Sequence, residues 1–212
     1  MEAPHSPAAD TLGAAARATA APETAGPVLT IDSPERMQEL GRALAALLRP
    51  GDLVMLSGEL GAGKTTLTRG LGEGLGVRGA VTSPTFVIAR VHPSLTGGPA
   101  LVHVDAYRLG GGLDEMEDLD LDVSLPESVV VVEWGDGKVE ELSDDRLRVM
   151  IHRVVGGAEP GGPGEGAGET TEPGGAVPGG AGETTGYDER RTVTLTGFGR
   201  RWSETDFGAL VR

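Results

Sequence analysis

Eight consecutive residues, Gly58–Thr65, have the types and spacing needed to bind phosphate groups. They read Gly-Glu-Leu-Gly-Ala-Gly-Lys-Thr and match the pattern G-x-x-x-x-G-K-[ST]. Glycine lets the backbone approach a phosphate closely enough for successive N–H groups to surround it. Lys64 is expected to reach the β- and γ-phosphates, and the Thr65 hydroxyl is expected to coordinate Mg²⁺. These residues predict a site for a nucleoside triphosphate with magnesium.

Two acidic residues are candidates to complete the magnesium shell, which requires a carboxylate at the end of a second buried strand. Asp105 follows Leu-Val-His-Val, and Glu133 follows Val-Val-Val-Val. Either carboxylate alone is also compatible with a structural role, as a helix cap or as the partner of an arginine. Because both stand in one P-loop domain, we expect at least one of them to take part in the chemistry.

Two further side chains have open alternatives. His103 alternates with Asp105 on one face of its predicted strand, so it is either a structural, hydrogen-bonded histidine or a neighbour of the site. Trp134 follows Glu133 directly and is one of only two tryptophans. It is equally compatible with core packing and with contact to the nucleotide or to a partner.

The elements that must position these residues indicate the fold class. Leu53–Leu56 and Val129–Val132 are continuous apolar runs, typical of parallel strands buried on both faces. The glycine loop follows the first run, and a helix from Lys64 to about Leu75 would direct its positive N-terminus at the phosphates. We predict an α/β fold, a P-loop NTPase with three α/β/α layers and a mainly parallel central sheet.

The remaining predicted elements surround these two strands. A helix capped by Asp32 or Ser33 runs to Arg49, and helical segments are expected near 113–121 and 204–211. Further strands are predicted at Val28–Ile31, Thr85–Val91, Ala100–Val104, Leu147–Val155 and Thr192–Thr196.

Two segments differ in composition from the predicted ATPase domain, which covers 28–212. Residues 1–27 are mainly Ala, Pro, Thr and Gly without periodicity, which predicts a disordered tail. The Gly/Pro-rich stretch 156–187 repeats Gly-Ala-Gly-Glu-Thr-Thr at 166–171 and 180–185. It has few apolar residues to bury, so we predict a disordered insertion between the two strands of a hairpin.

The charge and composition exclude several classes of function. The net charge of −14 argues against direct, tight binding of nucleic acid, because neutralising phosphates requires a basic surface. The absence of cysteine excludes disulfides and thiol catalysis. No apolar run is long enough to span a bilayer, and the N-terminus does not resemble a secretory signal. We therefore expect a cytoplasmic protein without membrane contact.

The chain resembles the TsaE (YjeE) family, whose members are bacterial ATPases of tRNA threonylcarbamoyladenosine synthesis. A P-loop alone would be a weak indicator, but four blocks occur in order and at fitting spacings, over about residues 28–153 and 191–212. They are Gly58–Thr66, Ser83–Phe86 (Ser-Pro-Thr-Phe), His103–Leu109 (His-Val-Asp-Ala-Tyr-Arg-Leu) and Val132–Trp134 (Val-Glu-Trp).

The resemblance implies roles for single residues. Thr65 and Glu133 match the family's magnesium ligands, and Asp105 matches an aspartate near the γ-phosphate that hydrolysis requires. Lys64, Asp105 and Glu133 are thus the predicted catalytic residues. Ser83–Phe86 matches a switch-like loop that faces the nucleotide and the partner protein. The predicted nucleotide contacts are Gly61, Ala62, Gly63, Lys64, Thr65, Thr66, Pro34, Asp136 and Arg191, although the insertion leaves Arg190 as an alternative to Arg191.

The resemblance also implies the cofactors and partners. The protein would bind ATP with Mg²⁺, hydrolyse it slowly when alone, and act on the complex of TsaB and TsaD, meeting tRNA only through that complex. A GTPase is disfavoured because the second of the two lysines, Lys138, stands in Gly-Lys-Val-Glu and not in an Asn/Thr-Lys-x-Asp element. A P-loop small-molecule kinase is the alternative, although Arg78 and Arg90 are too isolated to form an arginine-rich lid.

Overall fold

The computed structural model describes residues 22–109, 119–153 and 190–211. In chain order the strands and helices are β1 (Glu23–Ile31), α1 (Pro34–Ala45), β2 (Leu53–Gly58), α2 (Lys64–Gly74), β3 (Ala89–His92), β4 (Ala100–Asp105), α3 (Leu121–Ser124), β5 (Ser128–Glu133), β6 (Arg146–Arg153), β7 (Arg191–Phe198) and α4 (Arg200–Ser203). Short 3-10 turns lie at Ala106–Arg108, Leu125–Glu127, Glu140–Leu142 and Phe207–Val211.

The seven strands form one sheet in the order β1-β7-β6-β2-β5-β4-β3. The central strands β6, β2, β5 and β4 are parallel, whereas β3, β7 and β1 each pair antiparallel. The two apolar runs are neighbours, with Leu53 opposite Val130, and both residues are fully buried. The predicted α/β fold with a mainly parallel central sheet is confirmed.

Side chains that alternate along β2 enter two different cores. Val54 and Leu56 pack with the apolar faces of α1 and α2, whereas Leu53 and Met55 pack with residues of β4, β5 and the segments near Leu121 and Val139. Because α1 and α2 pack closely on one face of the sheet, the N-terminus of α2 is held beside the end of β2.

The first strand and first helix differ from the predicted boundaries. β1 begins at Glu23, so residues 23–27 belong to the sheet and the predicted tail 1–27 is too long; residues 1–21 lie outside the described part. A register shift between Ala25 and Val28 accommodates Pro27 on this edge strand, which pairs only with β7. Helix α1 starts at the Ser33 cap as predicted but ends at Ala45, before Arg49, where the chain turns toward β2.

The predicted strand Thr85–Val91 is wrong in its first half. Residues 85–88 form a turn, and β3 covers only Ala89–His92. The Ile88 N–H bonds to the carbonyl of Pro84 at 2.7 Å, and Ile88 itself has a φ of 65°, which ends any extended pairing. Contacts of this turn with β4 therefore override the β-branched composition.

Other predicted segments are partly outside the described residues. The predicted helix near 113–121 falls mostly within 110–118, and the insertion 156–187 falls within 154–189, neither of which is described. The strands flanking the insertion pair antiparallel, with Arg153 opposite Arg191. The predicted closing helix 204–211 is not observed as such. The helix in this region, α4, ends before residue 204, and the 3-10 turn Phe207–Val211 follows it. None of the helices in the described ranges has the length and apolar character needed to cross a bilayer.

Candidate nucleotide-binding site

The glycine loop connects β2 to α2 at the carboxyl edge of the parallel strands. Gly58 has a φ of 147°, and a Cβ at this position would lie 2.3 Å from the carbonyl oxygen of Ile151, so the backbones can approach only with glycine here. Gly63 caps α2 with a φ of 113° and offers no side chain to the helix end. The first N–H groups of α2 therefore have no capping side chain and are available to an anion.

Lys64 opens α2, and its side chain is buried. Its Nζ donates to the carbonyl oxygens of Gly58 at 2.8 Å and Glu59 at 3.0 Å, and it lies 3.7 Å from the centre of the Trp134 ring. Burial lowers the pKa of Lys64, while the negative charge of Glu133 opposes this shift. Among the described residues, the acceptors bonded to this ammonium group are thus neutral carbonyl oxygens, and a phosphate would supply a charged acceptor.

Thr65 and Glu133, the two predicted metal ligands, are in direct contact. The Thr65 hydroxyl lies 2.9 Å from Glu133 Oε1 and 3.1 Å from Oε2 and donates its proton to this carboxylate. Glu133 Oε1 also bonds to His103 Nε2 at 2.8 Å. Glu133 and His103 are both buried, so the carboxylate reaches the cleft from within the sheet.

Asp105 lies at the end of β4, directly opposite Glu133 in the register of β4 and β5. Its Oδ2 accepts bonds from the hydroxyls of Thr85 at 2.6 Å and Ser83 at 3.2 Å, and its Oδ1 accepts the N–H of Tyr107 at 3.1 Å. The predicted switch-like loop is therefore tied to the predicted catalytic aspartate through two hydroxyl groups.

These groups surround a single cleft of about 310 Å³. Its lining residues come from the glycine loop and α2, from the turn after residue 82 and from the ends of β4 and β5: Leu60, Gly61, Gly63, Lys64, Thr65, Thr66, Ser83, Thr85, Asp105, Glu133 and Trp134. Ala62, the remaining predicted loop contact, is buried behind the loop.

Three other predicted nucleotide contacts lie at the same edge of the sheet but outside this cleft. Asp136 lines an adjoining cleft of about 420 Å³, where it accepts a bond from the Ser57 hydroxyl and pairs with Arg148 at 3.3 Å. Pro34 begins α1, one turn before Met37, whose side chain packs near Gly63. Arg191 stands at the first position of β7, opposite Ile31 and Arg153.

Trp134 lines the cleft, and the exposed Tyr107 packs against its ring. Trp134 has a φ of 63°, which turns the chain immediately after Glu133, and its ring lies 5.2 Å from that of Tyr107. Sequence reasoning left the role of Trp134 open and did not single out Tyr107. The position of Tyr107 two residues after Asp105 was the available signal, since the turn Ala106–Arg108 begins directly after Asp105 and places Tyr107 against Trp134.

The donor set fits a magnesium ion with a bound nucleotide. A hydroxyl and a carboxylate are the hard oxygen ligands that Mg²⁺ prefers. Within the described ranges no group of three or more His, Asp or Glu side chains is arranged to hold a metal ion alone. This suits an ion that takes its other ligands from phosphates and water.

Comparison with known proteins identifies the family. A sequence profile described as threonylcarbamoyl adenosine biosynthesis protein TsaE matches residues 31–156. The tRNA threonylcarbamoyladenosine biosynthesis protein TsaE of Streptomyces coelicolor is 66% identical over 175 residues, which cover 82% of this chain and 99% of that protein. The protein of the same name from Bacillus subtilis is 42% identical over 123 residues, covering 58% of this chain and 75% of its own.

A solved structure agrees with these sequence matches. The crystal structure of Bacillus subtilis YdiB superposes with a TM-score of 0.55 and 28% identity, covering 90% of this chain and 93% of that one. The resemblance inferred from the four sequence blocks is thereby confirmed, and the chain belongs to the TsaE family of threonylcarbamoyladenosine biosynthesis proteins.

Proposed function

We propose that this chain binds ATP with Mg²⁺ in the cleft above α2 and hydrolyses it slowly, and that this hydrolysis serves the TsaB–TsaD complex in tRNA threonylcarbamoyladenosine synthesis in the cytoplasm. The observation that carries the proposal is the contact of the Thr65 hydroxyl with both oxygens of Glu133, beside the buried Lys64. A hydroxyl, a carboxylate and a lysine meeting at a glycine loop are the parts that phosphoryl transfer requires.

Each part has a separate task in this proposal. The N–H groups of the loop and the Lys64 ammonium bind the phosphates, while Thr65 and Glu133 hold the ion. Magnesium would neutralise charge on the phosphate oxygens. Asp105 stands across the cleft from the loop, where its carboxylate can orient a water molecule and accept its proton once the hydroxyls of Ser83 and Thr85 release it.

Slow turnover by the isolated protein follows from the charges around the cleft. Among the described residues that line it, none is an arginine, and Lys64 is the single cation. Charge that develops on the γ-phosphate in the transition state is therefore poorly stabilised, because an arginine finger commonly contributes several orders of magnitude in rate. A partner protein is needed to complete the site.

The surface at the mouth of the cleft supports docking of such a partner. Phe86, at 88% exposure, and Leu60, at 83%, lie on the turn and on the glycine loop respectively, and Tyr107 is also exposed. Exposed apolar side chains grouped beside a site commonly mark protein contact. Because Thr85, next to Phe86, bonds to Asp105, a partner that moves this turn would act directly on the catalytic aspartate.

A pair of matched threonine variants tests the site. Thr65→Val removes the hydroxyl that contacts Glu133, whereas Thr68→Val, one turn later on α2, removes a hydroxyl that bonds only to the Lys64 carbonyl at 3.0 Å. Calorimetric titration with ATP should show binding that Mg²⁺ strengthens in the wild type and in Thr68→Val but not in Thr65→Val. Wild-type protein that fails to bind ATP, or a Thr65→Val variant that responds normally to Mg²⁺, would contradict the proposal.

A further inference from the structure

His103 lies in the middle of β4, in the interior of the sheet. It is 0% exposed, and its backbone is opposite Val131, two residues before Glu133 on β5. Residues two apart on a strand face the same side. His103, Asp105 and Glu133 consequently share the face of the sheet that meets the glycine loop.

The polar contact of His103 is directed entirely at Glu133. Its Nε2 lies 2.8 Å from Glu133 Oε1, and because an ionised carboxylate only accepts hydrogen bonds, Nε2 carries the proton. Its other ring nitrogen, Nδ1, is buried and has no partner in the part of the chain that the structure describes. The hydrogen bond that the imidazole ring makes to the described residues is therefore the one to the carboxylate.

Glu133 is held from two sides as a result. Oε1 accepts from His103 and also lies 2.9 Å from the Thr65 hydroxyl, whereas Oε2 lies 3.1 Å from the same hydroxyl. The histidine approaches from the core and the threonine from the cleft. A metal ion between Thr65 and Glu133 would engage both groups from the cleft side, whereas the bond from His103 would orient the carboxylate from the core side.

We propose that His103 is a positioning residue that fixes Glu133 for magnesium and so sets the affinity of the site for Mg²⁺. This rests on the proposed function, since it presumes that Thr65 and Glu133 hold the ion. Groups that orient metal ligands in this way typically change metal affinity about 10- to 100-fold when removed. Packing of β4 alone would require only an apolar side chain of similar volume.

The test measures ADP binding by calorimetry with Mg²⁺ and with EDTA, so that hydrolysis does not enter the readout. His103→Leu removes the donor and keeps the volume, and His103→Asn keeps an amide that is too short to reach Glu133. His103→Gln places an amide N–H about where Nε2 lies. His92→Leu is the matched control, because His92 is the neighbouring buried histidine on β3 and contacts the Arg78 carbonyl at 3.4 Å, away from Glu133.

The expected result separates a positioning role from a structural one. His103→Leu and His103→Asn should require about 10- to 100-fold more Mg²⁺ to strengthen ADP binding, with unchanged affinity in EDTA. His103→Gln should recover most of the loss, and His92→Leu should behave as the wild type.

Three outcomes would overturn the proposal: a normal Mg²⁺ response in the first two variants, an equal loss of ADP binding with and without the metal, or a His103→Gln variant no better than His103→Leu. In each of these outcomes the wild-type protein still responds to Mg²⁺, so only the proposed role of His103 is contradicted and the metal site is not. If ADP binding by the wild type is the same with Mg²⁺ and with EDTA, the proposed metal site is wrong, and so is the proposed role of His103.

Discussion

Arg201 on α4 ties the C-terminal part of the chain to the start of β2, and its removal should have a large effect on stability. Its guanidinium donates to Asp52 through Nε at 3.1 Å and Nη2 at 3.0 Å, and through Nη1 to Thr205 at 3.0 Å. It also donates to the carbonyl of Leu47. The side chains of the pair are only 11% and 3% exposed, so Arg201→Met would leave the Asp52 carboxylate buried without its charged partner.

The size of the effect follows from this burial. Removing one partner of a buried ion pair costs about 3–5 kcal/mol. Asp52 keeps one donor, the N–H of Arg49 at 2.9 Å, so we expect the lower end, about 3 kcal/mol. For a chain of this size, that corresponds to a fall in melting temperature of roughly 6–12 °C.

Thermal unfolding followed by circular dichroism measures this shift. The control is Arg36→Met, which breaks an exposed pair with Glu39 on α1, whose side chains are 66% and 52% exposed. Such a pair is worth at most about 0.5 kcal/mol, or roughly 2 °C. Replacing both residues, with Arg201→Met and Asp52→Asn, should restore part of the loss because no charge stays buried. A shift for Arg201→Met no larger than that of the control would show that the buried pair with Asp52 stabilises the fold no more than an exposed pair does.

Three further predictions concern the site and its surroundings. Lys64→Ala should remain folded and should weaken Mg-ATP binding on the order of 100-fold, since it removes charge-assisted bonds to phosphate. Tight binding of a fluorescent ATP analogue by the folded variant would contradict the assignment. Glu133→Gln should raise the Mg²⁺ concentration needed for nucleotide binding. Asp105→Asn should leave nucleotide affinity nearly unchanged and lower turnover about 10²- to 10⁴-fold. The reverse pattern would exchange the roles of the two carboxylates. Burial lowers the pKa of His92, so this histidine takes up a proton more readily in the unfolded chain, and stability should fall as pH drops below about 6.5. His92→Gln should make the unfolding free energy from urea titrations depend less on pH. An unchanged pH dependence in this variant would show that His92 is not its cause.

The central strands of the sheet were predictable because the residues of their apolar runs serve only to pack the core. The apolar runs of β2 and β5 are buried on both faces, and such runs are compatible with little else in a chain of this kind. The start of β1 was not predictable, because Ala25, Gly26 and Pro27 have low strand propensity. This segment joins the sheet through pairing of residues 23–25 with β7, far along the chain. The turn at 85–88 was missed for a similar reason, since Thr85 is held by a side-chain hydrogen bond to Asp105, and the strand pairing with β4 begins only at Ala89.

The same distinction applies to the site, where features formed by neighbouring residues in the sequence were predictable and contacts between separate strands were not. The spacing of the glycine loop identified Lys64 and Thr65 directly, because the loop and the start of α2 are continuous in sequence. The contact of His103 with Glu133 depends on the register between β4 and β5, which sequence alone does not specify. This is why the alternation with Asp105 put His103 on the same strand face but left open whether it neighbours the site, and did not identify its partner.

Whether hydrolysis serves TsaB and TsaD is tested by steady-state phosphate release from ATP, measured with this protein alone, with tRNA, with TsaB and TsaD, and with all of them. We expect slow release by the protein alone and little change with tRNA, because a net charge of −14 disfavours binding of tRNA. We expect a large change in rate when TsaB and TsaD are added. Strong stimulation by tRNA without TsaB and TsaD would argue against the proposed function. An unchanged rate with TsaB and TsaD, together with phosphate transfer to a small acceptor, would identify a kinase instead.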